Sequence, residues 1–255
     1  NKELVAKHGE ELLEIARKNN INFFFEASVG GGIPIIRPLM ECITADKIIE
    51  ISGILNGTTN YILSEMTANG SDFDEVLKEA QNLGYAEKNP AADVEGHDAC
   101  RKIAILSSLA WGKTVNYEEV FTEGITKITA EDIMYAKKLN GTIKLIGTSR
   151  MLKDGISAMV APYILENSHP LATVNGVFNA IFVKGNVLGD TMYYGSGAGK
   201  LPTASAVVSD VVCAVRHINE NVNIDWAPEH QCVLDIKNLP VKVLARFETQ
   251  NKDKT

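Results

Sequence analysis

Four side chains capable of acid–base work fall within one short stretch, GYAEKNPAADVEGHDACRK, residues 84–102: Glu87, Asp93, Asp98 and Lys102. The stretch runs straight into the apolar IAILSSLAW, so these groups stand at the mouth of a segment suited to burial. Asp98 and Lys102 are four positions apart, which on a helix puts both on one face. On a solvated face such a pair contributes only about 0.2–0.5 kcal/mol. In a desolvated mouth the same pair can do chemistry. The carboxylate orients a bound hydroxyl, and the amine exchanges its proton if burial or a neighbouring cation lowers its pKa. Spacing alone leaves both readings open. Glu87 and Asp93 are two-sided in the same way: acids favoured by the dipole at a helix entrance, or carboxylates for the ammonium of an amino-acid ligand. The Gly84-Tyr85 turn would bring Glu87 back toward that mouth.

Two glycine-rich segments offer further chemistry. EASVGGGIP, residues 26–34, exposes backbone that can wrap a hard cation or approach a ligand closely, or serves as a tight turn from strand to helix. GSGAGKLPT, residues 195–203, departs from the P-loop pattern. Three residues rather than four separate Gly195 from Gly199, and Leu201 follows Lys200 where Ser or Thr is required. A glycine loop before a helix still suits an anion or cofactor contact, with a structural turn as the alternative. His8, His97, His169, His217 and His230 show no metal-ligand spacing, and no GxSxG motif supports a hydrolase.

The elements that must position these groups follow from periodicity. A helix over KELVAKHGEELLEIARKN feeds INFFFEA, expected as a short buried strand, and SVGGGIPIIRPLMECI is expected to resume as an apolar helix. DKIIEISGILNG alternates like a strand closed by an Asn56-Gly57 turn, and two helices ended by glycine follow. One long helix is expected from about Val94 to Trp111, antiparallel strands over residues 141–194, a helix over LPTASAVVSDVVCAVRHIN and a strand at QCVLDIK. This order predicts an α+β fold, a mixed or antiparallel sheet with helices on one face, attached to the remnant of a Rossmann-type α/β domain. The expected division is residues 1–27 for that remnant, 28–200 for a substrate, catalytic and dimerisation domain, 201–227 for a closing helix, and 228–255 for a tail that could begin a regulatory domain.

The chain has 255 residues, 45% hydrophobic and 22% charged, which suits a globular protein with a large core. Its net charge of -7, without a basic cluster, argues against a nucleic-acid surface. Cys42, Cys100, Cys213 and Cys232 lie far apart, so neither a zinc site nor a disulfide framework is suggested, and a reducing cytoplasm fits best. No apolar run approaches the roughly 20 residues of a bilayer-spanning helix. A soluble cytosolic protein with no membrane partner is expected.

Taken together, FEASVGGGIPII, ISGILNGTTNYIL, AQNLGYAEKNPAADVEGHDACRK and GSGAGKLPT resemble homoserine dehydrogenase, over most of the chain from Asn1 to about His217. The resemblance implies NAD(P)-dependent interconversion of L-homoserine and L-aspartate 4-semialdehyde, in the pathway to threonine, methionine and isoleucine. By that likeness Lys102 exchanges the proton at the reacting oxygen and Asp98 binds the substrate hydroxyl. Glu87 takes the amino group with Asp93 close by, and Lys2 lies near both nicotinamide and substrate. Gly84 and Gly199 match cofactor-contacting positions. Glu26, Val29, Gly31 and Ile33 match a site for a monovalent cation such as sodium, formed mostly by carbonyls. A homodimer or homotetramer is implied.

Two departures stand out. Lys88 occupies a place where the family more often has a small or acidic residue. No GxGxxG precedes Lys2, so the nucleotide-binding part, on the order of 100 residues, is expected to lie outside this chain, which alone is expected to be inactive. A non-catalytic amino-acid-binding or oligomerisation module is the alternative reading.

Overall fold

The computed structural model describes residues 1–247. Helix α1 (Lys2–Lys18) starts on Asn1, whose side-chain oxygen accepts from the amides of Glu3 and Leu4. Leu13, Val5 and Ala16 on its inner face are buried. A Cβ on Gly9 would come within 2.7 Å of the Trp226 ring, so α1 lies directly on that indole. The segment INFFFEA is not the strand its composition suggested: among the described residues it pairs with no strand. Its apolar character reflects side-chain packing instead, with the Phe23 and Phe25 rings 5.5 Å apart and Phe25 edge-on to Trp226. The helical half of an α/β unit is thus formed, and its strand half is not.

The helix expected across residues 28–43 shrinks to one π-helical turn at Pro38–Cys42. Gly30 and Gly31, at φ +72° and +56°, take the chain through the left-handed region, and Pro34 and Pro38 lack the amides a longer helix needs. A Cβ on Gly31 would lie 2.3 Å from the Gly197 carbonyl oxygen, so the two glycine loops interlock.

Strand β1 (Ile48–Ile54) then leads into α2 (Gly57–Asn69). Asn56 does not close a hairpin turn, as Asn-Gly had suggested; it is the N-cap of α2 and accepts from the Thr59 amide. Helix α2 ends on left-handed Gly70, and α3 (Phe73–Asn82) follows. The single long helix expected from Val94 is two, α4 (Ala91–Val94) and α5 (His97–Trp111), broken at Gly96 with φ +86°. The break re-aims the chain so that α5 begins at His97 with Asp98 in its first turn.

Next come β2 (Lys113–Thr114), β3 (Phe121–Thr122), α6 (Ala130–Lys138), β4 (Gly141–Met151), β5 (Ile156–Glu166), β6 (Phe178–Gly185), β7 (Asp190–Ser196), α7 (Lys200–Arg216) and β8 (Ala227–His230). Six strands form one sheet in the order β3-β5-β4-β1-β6-β7, antiparallel except for the β3–β5 pair. The fold is therefore the α+β class with a mixed sheet. The strand expected at QCVLDIK reduces to one bridge between Val233 and Ile156, because Asp235 caps a 3-10 turn at Ile236–Asn238. The strand of this region is β8, parallel to β2. Residues 248–255, the end of the expected C-terminal tail, lie outside the described residues.

The main core gathers Ile51 and Leu55 with Ile143, Leu145 and Val183 of the sheet and Ile103 and Leu106 of α5. Alternation sends Ile54, Ile146 and Ala180 to the opposite face, where Leu171 and Val174 cover them and Tyr163, Leu165 and Phe182 stay half-buried. Lys144 lies in β4 and is 1% exposed. Its ammonium donates to the Val174 carbonyl (2.6 Å), Asn175 Oδ1 (2.9 Å) and Asn60 Oδ1 (3.1 Å). Burial lowers its pKa to about 8.

Candidate functional site

Asp98 and Lys102 are not on a solvated face. They are 5% and 9% exposed, and Lys102 Nζ donates to Asp98 Oδ2 at 2.7 Å. The same ammonium donates to the Leu55 carbonyl at the end of β1, also at 2.7 Å. Lys2, in the first turn of α1, brings its ammonium to 2.8 Å from Asp98 Oδ1. One carboxylate thus lies between two lysines that are 100 positions apart in sequence. Burial works against ionisation of Asp98. The charge of Lys102 and the hydrogen bonds from Asn56, Lys102 and Lys2 overcome it and hold the carboxyl at about 2. Burial also works against the Lys2 ammonium, but the bond and charge of Asp98 outweigh it and raise the Lys2 pKa.

Hydrogen-bond capacity shows what the site has left to offer. An ammonium has three donors; Lys102 spends two, on Leu55 and Asp98, and one remains among the described residues. A carboxylate has about four acceptor positions; Asp98 fills two on Oδ2 and one on Oδ1, which leaves one on Oδ1. The free donor and the free acceptor belong to adjacent groups, an arrangement suited to a hydroxyl or carbonyl oxygen.

Asn56 completes the cluster. Its amide nitrogen donates to Asp93 Oδ1 (2.7 Å) and to Asp98 Oδ2 (3.0 Å). Burial raises the Asp93 pKa against the opposing Asn56 bond. Asp93 therefore joins the cluster through Asn56. Glu87 does not join it through any contact: its side chain is exposed, and only its carbonyl is engaged, by the Gln81 amide at 3.1 Å. Gly84, at φ +77°, has open space where a Cβ would point, and Gly199, at φ +117°, is the N-cap of α7 with no side-chain cap on that helix end.

Glu26 is 2% exposed, and its carboxylate accepts from the amides of Ile35 (2.6 Å), Ile36 (2.8 Å) and Arg37 (3.0 Å) and from Arg37 Nε (3.2 Å). That carboxylate is consumed by the turn it organises. Among the described residues no group of three or more His, Cys, Asp or Glu side chains could hold a metal ion. The carbonyls of Val29, Gly31 and Ile33 lie in the same turn, and hard, uncharged oxygens of this kind suit a weakly held cation rather than a transition metal.

The family model of homoserine dehydrogenase matches residues 34–212. This chain belongs to the homoserine dehydrogenase family. A homoserine dehydrogenase from Synechocystis is 48% identical over 259 aligned residues, covering 97% of this chain and 60% of that protein. The crystal structure of a homoserine dehydrogenase from Thiobacillus denitrificans superposes with a TM-score of 0.89 at 44% identity, covering 94% of this chain and 57% of that one. A hyperthermophilic archaeal homoserine dehydrogenase in complex with NADPH superposes with a TM-score of 0.75 at 32% identity, covering 88% of this chain and 64% of that one. The chain thus spans about three-fifths of the length of these relatives. No helix among the described residues is long and apolar enough to cross a membrane.

Membership in the homoserine dehydrogenase family favours the oxidoreductase reading over a non-catalytic module. Two partners in the cluster had no signal in the chemistry of the opening stretch. Asn56 lies in ILNGTTN and reads as a turn residue, and Leu55 acts through its backbone, which no residue type encodes.

Proposed function

We propose that this chain carries the substrate-binding and proton-transferring part of an NAD(P)-dependent homoserine dehydrogenase. The observation that carries the reading is the buried Lys102, tied to Asp98 and to the Leu55 carbonyl with one donor unspent. In the reductive direction the Lys102 ammonium donates its proton to the oxygen of aspartate 4-semialdehyde as that oxygen gains charge. In the oxidative direction the neutral amine takes the proton from the homoserine hydroxyl. Asp98 accepts from that hydroxyl at Oδ1 and fixes the lone pair being used. Lys2 draws on the same oxygen and lies at the nicotinamide side. Glu87, exposed at the rim, receives the substrate ammonium, with Asp93 behind it. The nicotinamide, when bound, supplies or accepts the hydride.

Gly84 and Gly199 are the cofactor contacts of this reading. The bare N-terminus of α7 after Gly199 leaves amides free for an anionic group, and the archaeal relative's NADPH complex supports a nicotinamide cofactor. A monovalent cation such as sodium would be held by the carbonyls of Glu26, Val29, Gly31 and Ile33, with the Glu26 carboxylate shaping the turn rather than ligating. Residues 1–27 belong with a nucleotide-binding part, 28–200 with substrate binding and dimerisation, and 201–227 with a return to the nucleotide-binding part. The half-buried Tyr163, Leu165 and Phe182, beside Leu171 and Val174 on the sheet face opposite the main core, support assembly as a homodimer or homotetramer. The setting is cytoplasmic synthesis of threonine, methionine and isoleucine.

Lys102→Ala in the full-length protein tests the reading. Turnover should fall by about 10²–10⁴, while homoserine binding by calorimetry and the circular dichroism spectrum are retained. Activity within tenfold of wild type would remove Lys102 from the proton path.

A further inference from the structure

The Asn56 side chain makes four hydrogen bonds to three residues. Its nitrogen donates to Asp93 Oδ1 at 2.7 Å and to Asp98 Oδ2 at 3.0 Å, while its oxygen accepts from the Thr59 amide at 2.9 Å and the Thr59 hydroxyl at 3.0 Å. It is 6% exposed, so these bonds compete with little water. The residue before it, Leu55, presents its carbonyl to Lys102 at 2.7 Å. The corner between β1 and α2 therefore places a neutral donor between two carboxylates and an acceptor on the lysine.

A buried carboxylate and a half-buried one, bridged by one amide, would repel each other if the amide were lost. With the bridge in place, the orientation of the Asp98 oxygen that faces Lys102 is fixed, since the amide cannot rotate without breaking its bonds to Thr59. Among the described residues, the other groups that bear on Asp98 are charged: Lys2 from α1, Lys102 from its own helix and Asp93 from α4. Among the described residues, Asn56 is the one neutral side chain that bonds both acids.

We propose that Asn56 is a positioning residue for proton transfer: its amide clamps Asp93 and Asp98 together and fixes the carboxylate that aims Lys102 at the substrate oxygen. The proposal rests on the proton-transfer reading above and extends it to a residue that touches neither substrate nor cofactor.

The capping and clamping roles can be separated by substitution. Serine caps a helix N-terminus about as well as asparagine, so Asn56→Ser keeps the start of α2 but has no amide to donate to both acids. Asn56→Asp also keeps the cap and adds a third carboxylate. Both variants, made in the full-length enzyme, should melt within a few degrees of wild type. Asn56→Ser should lose about 10- to 100-fold in kcat with KM changed less than about threefold, as expected when a supporting bond aligns a reacting group. Asn56→Asp should lose more. In enzyme labelled with carboxyl-¹³C aspartate, the Asp98 titration should move up by about one pH unit in Asn56→Ser, the effect of losing one hydrogen bond to a charged group.

An unmoved Asp98 titration, or kcat within twofold of wild type in Asn56→Ser, would overturn the proposal. So would equal kcat losses in Asn56→Ser and Asn56→Ala accompanied by equal losses of melting temperature, because the effect would then be structural. The titration does not depend on turnover. It stands apart from the Lys102→Ala test, whose failure would remove the proton-transfer reading and leave the clamp itself intact.

Discussion

Asp98 should make the protein's stability depend on acid in a way that can be separated from every other carboxyl. Its folded pKa of about 2 lies below the ordinary 3.8, and the group is almost fully buried. A gap of that size corresponds to about 2.4 kcal/mol of folding free energy at neutral pH. The sign follows from which state takes up the proton first. Above the unfolded value both states are ionised and the contribution is complete. As the pH falls below about 4 the unfolded chain binds the proton while the folded one does not, and the contribution is lost as the pH passes through 2. About half of it is gone by pH 3. Urea unfolding of wild type and Asp98→Asn, in steps from pH 7 to pH 3, measures this directly because asparagine cannot titrate. The stability difference between the two proteins should shrink by about 1 kcal/mol across that range. Parallel curves would mean that the two lysines and Asn56 do not hold the carboxylate as described.

Lys144 should show a slope of the same sign in an alkaline window, because there too the unfolded chain holds the proton more tightly than the folded one. Its folded pKa of about 8 lies below the ordinary 10.5, so burying the ammonium costs about 3 kcal/mol at pH 7, and that cost is relieved as the pH rises from about 8 through 10.5. Relative to Lys144→Met, wild type should gain about 2.5 kcal/mol between pH 7 and pH 10 in urea unfolding; a constant difference would contradict it. Gly31→Ala forces a side chain at φ +56° and within 2.3 Å of the Gly197 carbonyl oxygen. It should cost about 1–3 kcal/mol, and an unchanged urea midpoint would show that the two loops are not locked together.

The parts legible in sequence were those governed by neighbours along the chain. Helices α2 and α3, the antiparallel strands between residues 141 and 194, and the Asp98–Lys102 spacing follow from periodicity and glycine punctuation. Burial of that pair was not legible, because spacing of four is the same on a wet face and a dry one. What dries it is Lys2 arriving from α1 and Leu55 from the corner after β1, contacts set by tertiary packing. INFFFEA misled for a related reason: apolar runs record burial, and burial without a neighbouring strand yields packed phenylalanines rather than a ladder. Lys144 gave no warning either, since a lysine in an alternating strand reads as an outward residue until a loop folds over it.

The bond from Lys102 to the Leu55 carbonyl also limits what genetics can reveal about this site. Every amino acid carries that oxygen, so no substitution at position 55 deletes it. Because the Leu55 side chain sits in the main core, a scan of that position would report packing and nothing else. The acceptor can be displaced but not removed. Replacing the backbone amide that follows Leu55 with an ester, by chemical synthesis, would weaken that carbonyl as an acceptor and expose a contact to which codon-level mutagenesis is blind.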